Sequence, residues 1–380
     1  MKKLALYVFI DALGWEVYQN YGFLSSLTPQ ARKLKTTFGF SSAADPSILT
    51  GRYPDEHQHW SSFVYDPAHS PFKRLQFMSY LPAQIFDRWR VRQALSMIIK
   101  AMYSYTGYFQ LYNVPFKYLP YFDYLEKKDY FVPGGIIATD TIFDWCVEHD
   151  IPYYCSNWRH SEEQILAANK KVISEGKIAF AYVYLPKLDA VMHAHGPSSR
   201  ATMNKMRSLE TQITDLYHFA QKIYSEVSLY VISDHGMAPV HGVCELMDEI
   251  DALGYRYGKD YIVFYDSTMA RFWWKNDSAK SAIVDFLASL DCGYMISDDE
   301  LKKMHVFFED RRFGDTFFLL KEGILLCPSF MGLKMIPGMH GYHPDAPHSY
   351  SIMLSNQDIP PEIKSITDIR QTMEKELAKR

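Results

Sequence analysis

Four runs along the chain are apolar without alternation: "LALYVFI" (4–10), "IPYYCSN" (151–157), "KIAFAYVYL" (177–185) and "SLYVIS" (228–233). A strand with one wet face alternates apolar and polar side chains. A continuous run marks a strand covered on both faces, as in a parallel sheet. Helical patterns separate these runs. The clearest is "RATMNKMRSLETQITDLYHFAQKIYSE" (200–226), where Met203, Met206, Leu209, Ile213, Leu216, Ala220 and Ile223 recur every three or four positions. That spacing predicts a helix with one apolar stripe. Ser198 or Ser199 is placed to cap its start. The alternation predicts an α/β fold, a mostly parallel sheet sandwiched by helices.

Two stretches break the rhythm. Residues 60–131 hold 20 aromatic residues in 72, against 16% for the whole chain, and include a predicted helix near 83–102. Residues 259–335 also depart from the pattern. The chain is therefore read as an α/β core (1–59, 132–258 and 336–380), an inserted aromatic-rich helical cap (60–131) and a small inserted subdomain (259–335). "YDSTMARFWW" (265–274) predicts a buried strand.

Composition narrows the function classes. With 380 residues, 48% hydrophobic and 22% charged, a packed globular protein is expected. The formal net charge of −4 gives no reason to expect a nucleic-acid polymer as partner. The five cysteines are scattered and odd in number, which argues against a disulfide framework and for a reducing compartment. The apolar start, Leu4 to Ile10, runs straight into Asp11 with no small-residue cleavage site, so it reads as a first strand rather than a leader. No run reaches the roughly 18 apolar residues needed to span a bilayer. A cytoplasmic location is the simplest expectation, and nothing in the sequence signals an oligomeric state.

Functional groups of α/β sheets collect beyond the carboxyl ends of the strands. Here those ends carry metal-ligand residue types. The first strand ends in Asp11. The strand 177–185 leads into "LPKLDAVMHAHGP", with Asp189 and His193 four apart, on one face of a helical turn. The strand 228–233 ends "VISDHGM", giving Asp234 and His235. Near the C-terminus "GMHGYHPD" offers His340, with glycines flanking Met339-His340 to permit close approach. A lone Asp at a strand end is ordinarily a loop or cap residue. Three Asp and three His at equivalent ends are a set, and imidazole with carboxylate suits Zn²⁺ or Mn²⁺.

The order Asp11, "SSAADPSILTGRYPDEH" (41–57), Asp189/His193, "SDHGM" and "GMHGYH" resembles the alkaline phosphatase superfamily. Within it the pattern is similar to type I phosphodiesterases, also called nucleotide pyrophosphatases. The resemblance covers the core from Asp11 to His340 but not the cap, and implies an alkaline-phosphatase-like sheet. It implies two divalent metal ions, Zn²⁺ first and Mn²⁺ second. Asp189, His193 and His340 match the ligands of one; Asp11, Asp234 and His235 match those of the other. It implies in-line attack on phosphorus by a serine, a covalent phosphoseryl enzyme, and hydrolysis of that intermediate. In this superfamily the nucleophile lies nine positions before the Thr of the Thr-Gly break. Counting back from Thr50 gives Ser41. A Ser-Ala-Ala start would select Ser42 instead, with a one-residue gap. If Ser41 attacks, Ser42 supplies a backbone N–H to phosphate at the helix start.

"LTGRYPDEH" also resembles the sulfatase signature. Sulfatases place Pro two positions and Arg four positions after their modified residue, where this chain has Ala43 and Asp45. The usual Pro-Asn after a phosphodiesterase nucleophile is Ala43-Ala44 here, and the usual Gly after the motif's His is Gln58. The expected activity is two-metal hydrolysis of a phosphodiester or pyrophosphate bond in a small nucleotide or nucleotide-sugar-like phosphate ester. A phosphomonoesterase or phosphotransferase acting on a lipid-linked or glycan head group is the alternative. A non-catalytic metal- or phosphate-binding protein is the alternative of another class. His195, His343 and His348 read as loop residues near the ligand motifs, and Arg52 and Lys187 as surface ion-pair partners. The aromatic cap reads first as subdomain core. Base or sugar stacking and contact with a membrane are the other roles open to it.

Overall fold

The computed structural model describes residues 2–80 and 88–379. Its chain divides into two compact units, residues 1–58, 130–239 and 336–380, and residues 59–129 and 240–335.

The first unit is built on six strands: β1 (Lys3–Ile10), β2 (Gln30–Leu34), β3 (Tyr153–Cys155), β4 (Phe180–Leu185), β5 (Glu226–Ile232) and β6 (Ser351–Ser355). Their order is β2-β6-β5-β1-β4-β3. Strands β5, β1, β4 and β3 are mutually parallel, and β6 runs antiparallel to both β5 and β2. Val8 sits opposite both Val183 and Val231, so the central register pairs branched side chains across three strands.

The apolar runs arise because both faces of this sheet are covered. From β1, Leu4, Leu6, Val8 and Ile10 enter one core, with Met206, Leu209, Ile213 and Leu216 of a long helix. Ala5, Tyr7 and Phe9 enter the opposite core, with Ile48, Leu49, Ile369 and Met373. The long helix spans Arg200–Gln221, and the Ser199 side chain caps it by accepting from Thr202 N at 3.1 Å. The sequence left Ser198 and Ser199 open.

In the second unit, strands Tyr261–Tyr265, Met269–Trp274, Gly293–Ile296 and Thr316–Leu320 form one antiparallel sheet. Phe63, Phe72, Leu119 and Phe122 share a core with Leu246, Ile262, Phe264 and Phe318. The aromatic segment and the second insertion are thus one unit, where the sequence suggested two. Residues 240–258, assigned to the α/β core from sequence, also belong to it. The grouping depends on packing between segments over a hundred residues apart, which local pattern does not report. The helix expected near 83–102 is Trp89–Met102, and the earlier part of that range lies outside the described residues.

Cys244 and Cys292 are joined as a disulfide, contrary to the expectation from cysteine spacing. Their separation of 48 residues carries no local signature, and the bridge removes the cysteine argument for a reducing compartment.

The expected strand within "YDSTMARFWW" is present, and Arg271 on it is fully buried. Its Nε donates to Asp266 Oδ2 at 2.7 Å; its Nη atoms donate to Phe63 O and Phe313 O, both at 3.3 Å, and to Ser61 Oγ at 3.1 Å. Removing one partner of such a pair strands the other charge in a low-dielectric interior. Arg271→Ala is expected to destabilise the protein by about 3–5 kcal/mol, read as a lowered chemical-denaturation midpoint. Arg271→Lys should not restore it, because an ammonium cannot span the four acceptors.

Candidate active site

Strands β5, β1 and β4 are adjacent, so their carboxyl ends converge. Asp11 follows β1 directly. Asp234 and His235 follow β5. Asp189 and His193 lie on α2 (Lys187–His195), which begins two residues after β4, while α1 (Ser41–Thr50) carries the serine motif. His340 follows the short strand Gly338–Met339, which pairs with Ala238–Pro239 just past His235. All of these residues belong to the first unit.

The flanking glycines explain how His340 gets so close. A Cβ on Gly338 would lie 2.4 Å from Met192 O, on the helix that carries His193. Gly341 has φ +91°, and a Cβ there would meet the Phe40 ring at 2.4 Å. Phe40 precedes Ser41 and packs edge-on against His340.

The side chains form two overlapping groups. Ligand atoms of Asp189, His193 and His340 all lie within 4.8 Å of one another, as do those of Asp11, Asp189 and His235. Asp189 is common to both. His193 Nε2 is 3.2 Å and His340 Nε2 is 3.6 Å from Asp189 Oδ1. The His235 and His340 rings stack at 3.7 Å. The family resemblance groups Asp234 with Asp11 and His235. It lies beside them, with Oδ2 2.9 Å from His235 Nε2 and Oδ1 accepting from Ala12 N at 3.1 Å, but Asp189 completes the tighter group.

The imidazoles are oriented from behind. His193 Nδ1 bonds Gly338 O at 2.8 Å and His235 Nδ1 bonds Gly236 O at 2.9 Å. Each ring therefore turns Nε2 inward, as ligating histidines do. Asp11 Oδ1, Asp189 Oδ1 and Asp234 Oδ2 are buried acceptors without an aligned hydrogen-bond donor among the described residues.

The electrostatics follow from this crowding. Burial, then the charges of Asp234, Asp189 and Asp45, push the Asp11 carboxyl well above the ordinary carboxylate range. Burial works against charge on His235 and on His193, yet Asp234 and Asp189 respectively outweigh it and raise both. Burial would also raise Asp234, but the neighbouring His235 and the Ala12 amide hold it below its usual value. His340 is driven well below the ordinary imidazole range by burial and by His235 and His193. Buried carboxylates that repel one another, beside an imidazole kept neutral, fit divalent cations as counter-charge.

Ser41 is the first residue of α1, and its Oγ lies 3.1 Å from His235 Nε2. The amides of Ala43 and Ala44 both donate to Phe40 O. Ser41 and Ser42 therefore open the helix at its partially positive end.

The later part of the serine motif ends and braces the helix. Gly51, at φ +66°, ends α1 in the left-handed conformation, with its N–H on Ser47 O. His57 is buried, its Nε2 3.0 Å from Ser47 Oγ. Arg52 pairs with Glu56 on the surface, and Lys187 with Glu163. His195, His343 and His348 belong to neither ligand group.

Three residues near the site were not singled out from sequence. Tyr184, near the end of β4, donates its hydroxyl to Asp11 Oδ2 at 3.1 Å. Thr36 donates to Asp234 O at 2.7 Å. Asp45, one turn after Ser41, is buried near enough to Asp11 to add to its repulsion. Tyr184 read only as strand apolar surface, and its place on the Asp11 side appears once the β1–β4 register is known.

Comparisons with known proteins agree with this geometry. Murine ectonucleotide pyrophosphatase/phosphodiesterase 5 superposes with a TM-score of 0.68 at 16% identity, covering 99% of this chain and 95% of that one. An inactive variant of the murine protein in complex with AMP gives 0.68 at 15% identity, with the same coverage. Phosphonoacetate hydrolase from Sinorhizobium meliloti 1021, in complex with phosphonoacetate, gives 0.65 at 14% identity, covering 99% of this chain and 96% of that one. At these identities the likeness is one of fold, the alkaline-phosphatase-like fold expected from sequence. No curated protein matches by sequence. The sequence profile of type I phosphodiesterase / nucleotide pyrophosphatase matches residues 8–343. The chain therefore belongs to the type I phosphodiesterase / nucleotide pyrophosphatase family, whose members are metal-dependent hydrolases.

Proposed function

We propose that this protein hydrolyses a phosphodiester or pyrophosphate bond in a small nucleotide-like substrate, with Ser41 as nucleophile. The observation that carries this reading is the position of Ser41 Oγ. It stands at a helix N-terminus, 3.1 Å from His235 Nε2, beside two ligand groups that share Asp189. The neighbour in complex with AMP supports a nucleotide-sized substrate.

Asp189, His193 and His340 would hold one divalent cation. Asp11, His235 and Asp234 would hold the other, with Asp189 near both. Zn²⁺ suits this imidazole-carboxylate set first and Mn²⁺ second. When bound, the cations supply Lewis-acid charge that favours the ionised serine and stabilises entering and leaving oxygens. Ser41 Oγ gives up its proton and forms a bond to phosphorus as the bond to the leaving oxygen breaks, and that oxygen takes up a proton. Water then cleaves the phosphoseryl ester, and Ser41 Oγ recovers a proton. The amide end of α1 steadies the non-bridging oxygens, with Ser42 N–H among the donors. Tyr184 fixes Asp11 through Oδ2 and leaves Oδ1 turned to the site.

Ser41→Ala is expected to lower turnover by at least about a thousandfold while metal content stays the same by elemental analysis. Ser42→Ala should keep most activity. An active Ser41→Ala with an inactive Ser42→Ala would place the nucleophile one residue later. Bis-p-nitrophenyl phosphate should be cleaved faster than p-nitrophenyl phosphate; the reverse order would make the protein a monoesterase.

The metal-free protein should respond to pH and metal together. Asp11 titrates above its unfolded value, so the unfolded chain releases this proton first. Its contribution to metal-free stability is therefore lost as pH rises past the ordinary carboxylate value. Asp11, His193 and His235 also bind protons more tightly than usual, in competition with cations. The rise in Tm on adding Zn²⁺ or Mn²⁺ to chelator-treated protein should thus be larger at about pH 8 than at about pH 6. A Tm indifferent to metal at both values would refute the assignment of the site.

A further inference from the structure

The helix Trp89–Met102 of the second unit buries Ile99 in the core of that unit, together with two polar side chains. Arg92 Nη1 donates to Tyr112 O at 3.0 Å and Val114 O at 2.8 Å, and its guanidinium lies over the Phe116 ring. Ser96 Oγ donates to Arg92 O at 2.7 Å and accepts from Leu111 N at 3.0 Å. The opposite side is exposed at positions 90, 93, 94, 97, 98, 101 and 102, which recur every three or four residues as one helical face. Along it Met97, Ile98 and Met102 are 66%, 54% and 64% exposed, and Trp89 at the helix start is 56% exposed. Tyr103 follows, also exposed, and the preceding segment Lys73–Tyr80 exposes Phe77 and Tyr80. Single exposed apolar residues are ordinary; a run of them along one face marks a surface that binds something.

Charge selects the occupant. Between Asp66 and Asp123 the sequence holds one acid, Asp87, and seven Lys and Arg residues, of which Lys73, Arg74, Arg88, Arg90 and Lys117 are exposed, within a chain of net charge −4. A second copy would set this basic surface against itself. An anionic lipid surface offers opposite charge and apolar depth together. Exposed Trp89 and Tyr103 at the two ends of the helix suit the headgroup level, where amphipathic aromatics concentrate. Arg74 and Arg90 are exposed cations able to reach phosphate while the apolar side chains enter the acyl boundary. No described helix is long and apolar enough to cross a membrane, so this one would lie in the interface. We propose that the face of helix Trp89–Met102 carrying Met97, Ile98 and Met102 docks this protein onto anionic lipid bilayers. This goes beyond the proposed hydrolysis and does not depend on it.

Vesicle co-sedimentation of the full chain tests the proposal. The protein should pellet with vesicles of phosphatidylcholine and phosphatidylglycerol, stay in solution with phosphatidylcholine alone, and be released by salt. The combined Met97→Ser, Ile98→Ser, Met102→Ser variant should lower partitioning on the order of tenfold or more. Its circular dichroism and its hydrolysis of a soluble p-nitrophenyl ester should be unchanged. Arg74→Gln with Arg90→Gln should lower partitioning by about fivefold per charge. The proposal fails if the native protein does not pellet with anionic vesicles, or if both variants bind them as the native protein does. It also fails if light scattering shows a native dimer that the serine variant dissociates, since the face would then join two copies.

Discussion

Buried carboxylates that repel one another are the constraint around which the catalytic unit is arranged. Asp11, Asp189 and Asp234 gather at the carboxyl ends of three adjacent strands, and Asp45 adds its charge from the serine helix. Such a gathering costs free energy unless positive charge enters it. Among the described residues, imidazoles stand against these carboxylates. His235 and His193 are pulled toward the charged form by Asp234 and Asp189, and Ser41 rests against His235. His340 is pushed the other way, toward the neutral form that ligates a metal.

The sheet makes this crowding geometrically possible. Parallel strands β5, β1 and β4 place their ends side by side, and a two-face core fixes their register from Lys3 to Ile10. The remaining parts are fitted around that point. Gly338 and Gly341 admit the His340 segment where any side chain would collide with Met192 O or Phe40. Carbonyls of Gly338 and Gly236 turn two imidazoles inward. Rigid backbone acceptors, rather than flexible side chains, thus set the ligand directions.

Much of this was legible in the chain because strand ends are both a local and a global feature. A continuous apolar run ending in Asp or Asp-His states its own position in a parallel sheet. The DxxxH spacing states a helical turn. Less legible were features that depend on distant packing. Tyr184 looks like any strand aromatic until register sets it beside Asp11. Asp45 lies within the serine motif but acquires meaning only through burial near Asp11. The Cys244–Cys292 bridge, and the single core joining residues from 63 to 122 with those from 246 to 320, connect segments whose local patterns say nothing of each other.

The serine motif divides between chemistry and architecture. Its first two residues open α1 at the ligand cluster, while Gly51 and His57 end and brace the helix. The central claim is that Ser41 receives the phosphoryl group. Acid-quenched turnover of a phosphodiester, followed by peptide mass spectrometry, tests it most directly. The account predicts phosphate on Ser41. Phosphate on Ser42, or steady turnover with neither serine labelled, would contradict it.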